Sequence, residues 1–436
     1  MGIGSLTPLL SWDDCEKHSM STVPSPRRVV AWALERGEEY VALLESGEGL
    51  PGRARYTIVG LGAEDSIASD DILSAFSMLR RFLEKLECNM LPCRDMAVAL
   101  VGYEAAAEAE PWLAPKLRRH EWPVLLAFKP EKLLVYDRLA QRVVVCPSGA
   151  SIGGANPENA GFSVGSIVYR TPPKEFMSWV EEARRAIMDG EVFQVVLSRL
   201  ERIEFRGSLF KAYLRLAKVN PSPYMYYVSF GSYQIIGTSP ELLVKMDLGR
   251  LETHPIAGTR PRACGEDDVR VEEELLSDEK ERAEHLMLVD LARNDLGRVA
   301  VPGTVKVTAL MDVEKYSYVQ HMVSRVEAIA KKGVTYAEVL EAMLPAGTVS
   351  GAPKTRAMEI IARLEDEPRG PYAGAVGVAA KYAGETAIVI RSGWLLENGL
   401  FEIRAGAGIV YDSKPEREFL ETEHKLRALK SVLGVS

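Results

Sequence analysis

Between residues 29 and 145 the apolar positions come in short runs: YVALLES (40–46), ARYTIVGLG (54–62), MAVALVGY (96–103), VLLAFKP (124–130), EKLLVYD (131–137) and RVVVCP (142–147). Runs of that length, bounded by Gly, Pro and Asp, predict strands, because successive strand side chains point to opposite faces. One stretch, 71–86, repeats its apolar residues at helical spacing instead. Residues 148–165 (SGASIGGANPENAGFSVG) hold Gly, Ser, Asn and Pro with hardly a charge and read as a connection. The chain therefore divides into a mainly β region at 1–150, a linker at 151–168 and a larger unit at 169–436. In that unit the spacing predicts helices at 173–190, 209–219, 278–295, 319–330, 336–343, 353–364 and 415–433. Strands are predicted at 192–205, 224–237, 241–248, 372–380, 386–394 and 400–410, with turns such as Glu397-Asn398-Gly399 between them. Helices and strands do not alternate strictly, so the expected class is α+β: layered antiparallel β-sheets with packed helices.

The chain has 436 residues, 47% of them hydrophobic, enough for a large core and against a disordered or fibrous protein. Its 53 Lys and Arg face 61 Asp and Glu, for a net charge of −8, and no basic run could follow a phosphate backbone. Nucleic-acid binding is not expected. The longest uncharged stretch, 219–240, is broken by Asn220, Pro221, Ser222 and Pro223, so no bilayer-spanning helix is expected, nor a secretory leader. Five scattered cysteines (Cys15, Cys88, Cys93, Cys146, Cys264) without a C-x-x-C read as reduced thiols of a cytoplasmic protein, with no zinc site.

Candidate chemistry begins with carboxylates. Glu281 and Glu284 stand three apart on one helix face, and Glu418 and Glu421 do the same in the last helix, with Lys425 one turn on. Four acids at the ends of apolar stripes repel one another unless a cation joins them, and oxygen ligands with room for water suit Mg²⁺; the plain alternative is solvated helix faces with a routine Glu421–Lys425 pair. Glycine-rich turns beside these helices, HPIAGTRPR (254–262), LPAGTVSGAPKTRAMEII (344–361), RGPYAGAVG (369–377) and RAGAGIVYDSKPE (404–416), offer amides, hydroxyls and arginines to a small anion. None has the spacing of a nucleotide-binding loop.

Taken in order, TSPE, PIAGTRPR, DEKERAEHLMLVDLARNDLGR, YSYVQHMVS, AGTVSGAPK, RGPYAGAVG, IRSGW and EREFLETEHK resemble the chorismate-utilising enzymes over nearly all of 170–436. Upstream, LLES (43–46) and RYTIVG (55–60) extend the likeness. The resemblance implies that chorismate is the substrate, that Glu284 and Glu421 hold Mg²⁺, and that Glu281 and Glu418 support it through water. It places Arg391 and Tyr372 on the enolpyruvyl carboxylate with the amides of Gly406 and Gly408. Gly258 and Thr259 line the substrate, and Lys425 is a further carboxylate contact. Glu241 becomes the acid that protonates the departing 4-hydroxyl, while His321 and Thr348 orient the ring.

Relatives that add water carry a Lys where this chain has Gln194, and Gln can position ammonia but cannot deprotonate water. Relatives with a lysine nucleophile in PIKGT carry it where this chain has Ala257. The resemblance thus implies amination of chorismate through aminodeoxyisochorismate to anthranilate and pyruvate, a step of tryptophan biosynthesis. No cysteine lies in a nucleophile elbow, Cys264 in RACGED coming nearest, so ammonia is expected from a glutamine amidotransferase subunit in a hetero-oligomer. LLES and NPSPYM resemble the family's effector site, implying tryptophan as inhibitor at Glu45, Ser46, Asn220, Pro221, Tyr224 and Met225. His424 and Leu197 depart from the family pattern and are not expected to touch the chemistry. Two other readings stay open: a synthase that stops at an aminodeoxychorismate or aminodeoxyisochorismate product, and a non-catalytic amino-acid sensor on the same fold.

Overall fold

The computed structural model describes residues 12, 14–47, 55–262, 265–315 and 319–435. Two antiparallel sheets form its centre. The first, of twelve strands, runs Glu16–Ser19, Arg142–Cys146, Lys132–Asp137, Tyr56–Leu61, Tyr40–Glu45, Tyr224–Phe230, Tyr233–Ser239, Ser392–Leu395, Leu400–Ile409, Gln194–Gly207 and Gly351–Ala352, with Phe162–Arg170 also paired to Gln194–Gly207. The second, of ten, runs Ile256–Pro261, Val319–Ile329, Arg250–Thr253, Leu242–Asp247, Gly384–Ile388, Ala375–Ala379, Ala97–Val101, Leu125–Lys129 and Asp65–Ser69, with Lys306–Lys315 beside Val319–Ile329. The α+β expectation is met.

The larger core lies between the sheets. Ala42, Leu197 and Val228 of the first meet Val98, Leu126, Val244 and Val376 of the second. The first sheet's other face packs on the helices Pro26–Glu35, Leu209–Val219 and Pro415–Leu433 through Val29, Phe210, Tyr213, Leu426 and Leu429. A sheet buried on both faces needs apolar side chains on both, and for this reason runs such as Tyr40–Glu45 are nearly continuous in hydrophobicity. Strands from both sides of residues 151–168 enter both sheets, and part of that segment is itself strand, Phe162–Arg170.

Local chemistry accounts for several helix ends. Ser208 accepts from the Lys211 amide ahead of Leu209–Val219, Thr335 and Glu338 form a capping box at Tyr336–Met343, and Pro415–Leu433 stops at Gly434 in the left-handed region. Two expectations are corrected. Residues 319–330, read as a helix, are the strand Val319–Ile329: Ser324, Val326 and Ala328 point inward while Arg325 and Ile329 are exposed, a period of two that the spacing of Val323 and Val326 disguises. The cysteines, read as reduced, form two disulfides, Cys15–Cys146 and Cys88–Cys93. Pairing of Glu16 with Val145 puts Cys15 beside Cys146 across 131 residues of chain; Cys264 lies outside the described residues. Among the described residues no helix is long and apolar enough to cross a membrane.

Candidate active site

A cavity of about 680 Å³ opens where elements of both sheets and two helices converge. Helix Glu279–Val299 begins on the side chain of Asp278, which accepts from the amides of Lys280 and Glu281, and turns Lys280, Glu281, Glu284 and Leu288 toward the cavity. Helix Pro415–Leu433 contributes Glu418, Glu421, His424 and Lys425. Between them lie Gln194 and Val196, on a strand whose register sets Val196 against Gly408 and Ser198 against Gly406. Room is short at 406, where a Cβ would sit 2.6 Å from the Tyr372 hydroxyl and 3.0 Å from the Leu197 carbonyl, whereas one at 408 would meet first the movable amide end of Gln194 at 2.7 Å.

Glu241 and Arg391 occupy equivalent places. Each lies where the chain leaves one sheet for the other, between Tyr233–Ser239 and Leu242–Asp247 and between Gly384–Ile388 and Ser392–Leu395. The two crossings are tied together, the Ile388 amide donating to Glu241 O at 3.1 Å and the Thr238 amide to Arg391 O at 3.2 Å. Arg391 holds a positive φ of 52° at its crossing.

One side of the cavity is acidic. Burial pushes the Glu284 carboxyl up, and the nearby Glu281 and Glu421 charges add to the shift; burial likewise raises Glu418, with Glu421 adding. Gln194 Nε2 donates to Glu284 at 2.6 Å, Arg260 Nη1 to Glu281 at 3.0 Å, and Lys425 pairs with Glu421 at 2.6 Å while donating to Gly406 O at 2.8 Å. Among the described residues no three His, Cys, Asp or Glu side chains converge into a ready-made metal cage. The donor set nevertheless fits a hard cation that keeps several waters, because oxygen ligands are supplied and the carboxyls repel one another without it.

On another wall stand an acid, a neutral imidazole and a guanidinium. Burial pushes the Glu241 carboxyl up to about 8, the Thr348 hydroxyl, the Ile256 amide and Lys425 only partly opposing the shift. The Thr348 hydroxyl is buried without a well-aligned hydrogen bond. His321 is held down to about 4, by burial first and the charge of Arg391 second. Its Nδ1 lies 3.3 Å from the Gly258 carbonyl. A carbonyl only accepts, so Nδ1 carries the proton and Nε2 keeps its lone pair. Burial also lowers the Arg391 pKa, and among the described residues no carboxylate pairs with its guanidinium. Tyr372 is pushed up to about 12 by burial and remains a neutral donor.

Thus Gln194, Glu241, Gly258, Glu281, Glu284, His321, Thr348, Tyr372, Arg391, Gly406, Gly408, Glu418, Glu421 and Lys425, named from sequence, all line one cavity. The side chain of Thr259 lies outside the described residues. Sequence reasoning missed Lys280 and Arg404, and His424 lines the cavity although it was expected to stand apart. Extending the helix faces by one turn from Glu284 back to Lys280 and from Glu421 on to His424 would have found two of the three. Leu197, by contrast, is fully buried in the core between the sheets, as its alternation with Val196 requires.

A second cavity, of about 730 Å³, is lined by Glu45, Ser46, Tyr224 and Met225 of the expected effector set, together with Tyr56, Tyr226, Lys245, Asp247 and the loop Met90-Leu91-Pro92. Asn220 and Pro221 do not line it; Asn220 Nδ2 donates to Thr238 Oγ1 at 2.9 Å instead. Glu45 Oε2 accepts from Arg27 Nε at 3.0 Å and from the Tyr213 hydroxyl at 2.6 Å.

Residues 43–431 match the family described as chorismate binding enzyme. The chain is 54% identical to anthranilate synthase component 1 of Aeropyrum pernix over 430 residues, 98% of each chain. It is 43% identical to the Saccharolobus solfataricus protein of that name, over 96% of this chain and all of the other. Among solved structures, anthranilate synthase component I from Streptococcus pneumoniae superposes with a TM-score of 0.74 at 34% identity, covering 88% of this chain and 93% of that one. The menaquinone-specific isochorismate synthase of Escherichia coli, 20% identical with a TM-score of 0.75, shares the fold over 96% of this chain and 94% of its own. With one family spanning residues 43–431 and such relatives along nearly its whole length, the chain belongs to the chorismate-binding enzymes.

Proposed function

We propose that the chain converts chorismate and ammonia to anthranilate and pyruvate, as the large subunit of a two-component anthranilate synthase in tryptophan biosynthesis. Near-complete overlap at 54% identity with a relative of that name is the observation that carries the reading. The cavity is equipped for it. Glu241, protonated up to about pH 8, can hand its proton to the departing 4-hydroxyl. Arg391 and Tyr372 supply donors for the enolpyruvyl carboxylate, and neutral His321 with Thr348 orients the ring for pyruvate loss. Gln194, held on Glu284, places an amide and no base where the nucleophile arrives, which suits ammonia.

Glu284 and Glu421, with Glu281 and Glu418 behind them through water, are the residues that would hold Mg²⁺, whose charge would neutralise the ring carboxylate. The lyase chemistry is Mg²⁺-dependent on this reading. Ammonia arrives from a separate glutamine amidotransferase subunit: Cys15, Cys88, Cys93 and Cys146 are locked in disulfides, so none of them is a glutaminase nucleophile. The second cavity takes tryptophan as feedback inhibitor.

Chorismate, Mg²⁺ and an ammonium salt at alkaline pH, added to the purified chain, are expected to develop anthranilate fluorescence. A non-fluorescent amino product would instead indicate a synthase that stops at the aminated intermediate, and absence of any product would indicate a sensor.

A further inference from the structure

Of the two disulfides, one is held twice over and the other is not. Cys15–Cys146 sits beside a ladder in which Glu16 pairs with Val145 and Ser19 with Arg142, and Cys146 itself pairs with Leu133, so the chain keeps its course there without the sulfur bond. Cys88–Cys93 lies in no helix or strand and closes the loop Asn89-Met90-Leu91-Pro92. Asn89 O accepts from the Leu248 amide at 2.7 Å and Cys88 O from the Tyr382 amide at 3.2 Å. Among the described residues, however, no backbone–backbone hydrogen bond involves Met90, Leu91 or Pro92.

Those three residues are the part of the loop that lines the second cavity. The Leu91 amide also bears on Asp247, another lining residue: burial raises the Asp247 carboxyl, and Lys245 and the Leu91 amide partly oppose the shift. One wall of this cavity thus owes its place to the covalent bond behind it. Opening that bond returns conformational freedom to the loop, and a ligand that uses the wall must then order it again, at a cost in affinity. Cys88 and Cys93 are 7% and 8% exposed while Cys146 is 0% exposed, so the loop disulfide is the one nearer to solvent. None of residues 88–93 lines the catalytic cavity.

We propose that Cys88–Cys93 is a redox switch on the second cavity: closed, it holds the wall against which the effector binds, and opened by a dithiol reductant, it releases that wall and relieves inhibition. This rests on the reading that tryptophan occupies the second cavity. In the opening step a thiolate of the dithiol attacks one sulfur to give a mixed disulfide, and its second thiol then displaces the cysteine. Two electrons and two protons pass to the chain, Cys88 and Cys93 end as thiols, and the reductant leaves as a disulfide. The catalytic cavity takes no part, so turnover without tryptophan is the same in both states.

The test compares the full chain as isolated, after dithiothreitol, and after reoxidation with oxidised glutathione, with ammonium salt as nitrogen source and mass spectrometry to show which cysteines are reduced. Reduction of Cys88 and Cys93 is expected to raise the tryptophan inhibition constant and the calorimetric Kd for tryptophan by about tenfold, with uninhibited kcat and KM unchanged, and reoxidation should restore both. The double variant Cys88→Ser with Cys93→Ser should show the weakened values with or without dithiothreitol. The double variant Cys15→Ser with Cys146→Ser should still respond to it. If the first variant does not fold, the reversible change in the parent decides the matter. Tryptophan affinity that stays the same in a parent with Cys88 and Cys93 reduced would overturn the proposal, as would a response that survives in the Cys88 and Cys93 variant and disappears in the other. Parent protein that binds no tryptophan in either state would instead remove the reading on which the switch rests.

Discussion

The two large cavities are alike in size, about 680 and about 730 Å³, and opposite in how their charges are matched. Around the second, Lys245 pairs with Glu385 at 2.8 Å, Arg325 with Glu252 at 3.4 Å, and His254 with Glu252; the His254 hydrogen bond, ahead of the neighbouring cations, draws the Glu252 carboxyl down to about 2. Around the first, burial drives Glu241, Glu284 and Glu418 upward, and among the described residues no carboxylate pairs with Arg391. Burial raises carboxyls around both, Asp247 of the second included, and the shift reverses only where a partner is supplied, as His254 is to Glu252. A cavity with raised carboxyls at one end and, among the described residues, a guanidinium without a carboxylate partner at the other is prepared for a ligand that carries both a cation and two anions, and for proton transfer. One whose charges are mostly paired offers shape and a few polar contacts, which suits a zwitterion with an aromatic side chain.

The strongest way to break this comparison is to remove the proton that burial keeps on Glu241. Glu241→Gln should lower kcat by ~10²–10⁴-fold. It also has a signature outside catalysis. The folded pKa of about 8 lies above the ordinary 4.5, so the native state holds this proton where the unfolded chain has released it. The contribution to stability is complete below about pH 4.5 and is lost as pH rises through about 8. The melting temperature of the parent should therefore fall across that window, and the Gln variant should show a smaller fall. Activity in the parent should decline on the alkaline side as the donor is lost. An identical pH profile of melting temperature in parent and variant would mean that Glu241 is ionised in the folded protein.

Next in size is the acidic end. Glu421→Gln keeps the volume and removes one charge, so turnover should drop by ~10²–10³-fold and the Mg²⁺ concentration for half-maximal activity should rise, with ammonia and with glutamine plus partner alike. Near-parental activity at low Mg²⁺ would take this helix out of the metal site. Gln194→Lys acts at the nucleophile's entrance and changes the product more than the rate. An amine replacing the amide beside Glu284 could serve as the base that water requires, so isochorismate or salicylate should accompany reduced anthranilate. Unchanged product ratios at full ammonia-dependent activity would place residue 194 away from the nucleophile's path.

How much of the two cavities could be read in the sequence differs for the same physical reason. Helices such as Leu209–Val219 and Pro415–Leu433 were legible to the residue, since their periodicity and their end signals, Ser208, Pro415 and Gly434, are local. Most of the catalytic cavity was legible too, through motifs that keep its glycines and acids close in the chain. Arg404 was not, because what its guanidinium meets, the Glu367 carbonyl and Glu365, is brought to it by packing of segments distant from the motif's own turn. The strand Val319–Ile329 was misread because apolar residues at 319, 322, 323 and 326 satisfy helical spacing, while the inward polar residues His321 and Ser324 mask the alternation. Helix Pro26–Glu35 was not foreseen, and the pairing of the first 150 residues with both sheets depends on long-range register that no local pattern records. The second cavity suffers from this most, since it gathers residues from 44 to 387.

The smallest expected effect on turnover concerns that second cavity and sharpens the comparison best. Ser46 lines it at the end of the strand Tyr40–Glu45, whose register sets Glu45 against Met225, with Tyr224 and Tyr226 to either side. Arg27 and Tyr213 both bond Glu45 through Oε2, which leaves its Oε1 as one acceptor for a tryptophan ammonium. Asp247 also lines the cavity, has a buried Oδ1 with no hydrogen-bond partner, and is raised by burial. An apolar slot is offered by Met225 with Leu91 and Pro92, held in a loop that Cys88–Cys93 closes. Ser46→Phe places a ring in this space at a position that touches none of the catalytic residues, so inhibition by tryptophan should be abolished while uninhibited kcat and KM change by less than about twofold. Coupling between the cavities has a short route, since Leu242 lines the second cavity and is the chain neighbour of Glu241 in the first. Calorimetry on the parent and on the Phe variant checks the binding step directly. Tryptophan that binds neither protein, or inhibits both equally, would remove regulation from this cavity and leave the charge contrast, and the catalytic reading built on it, standing.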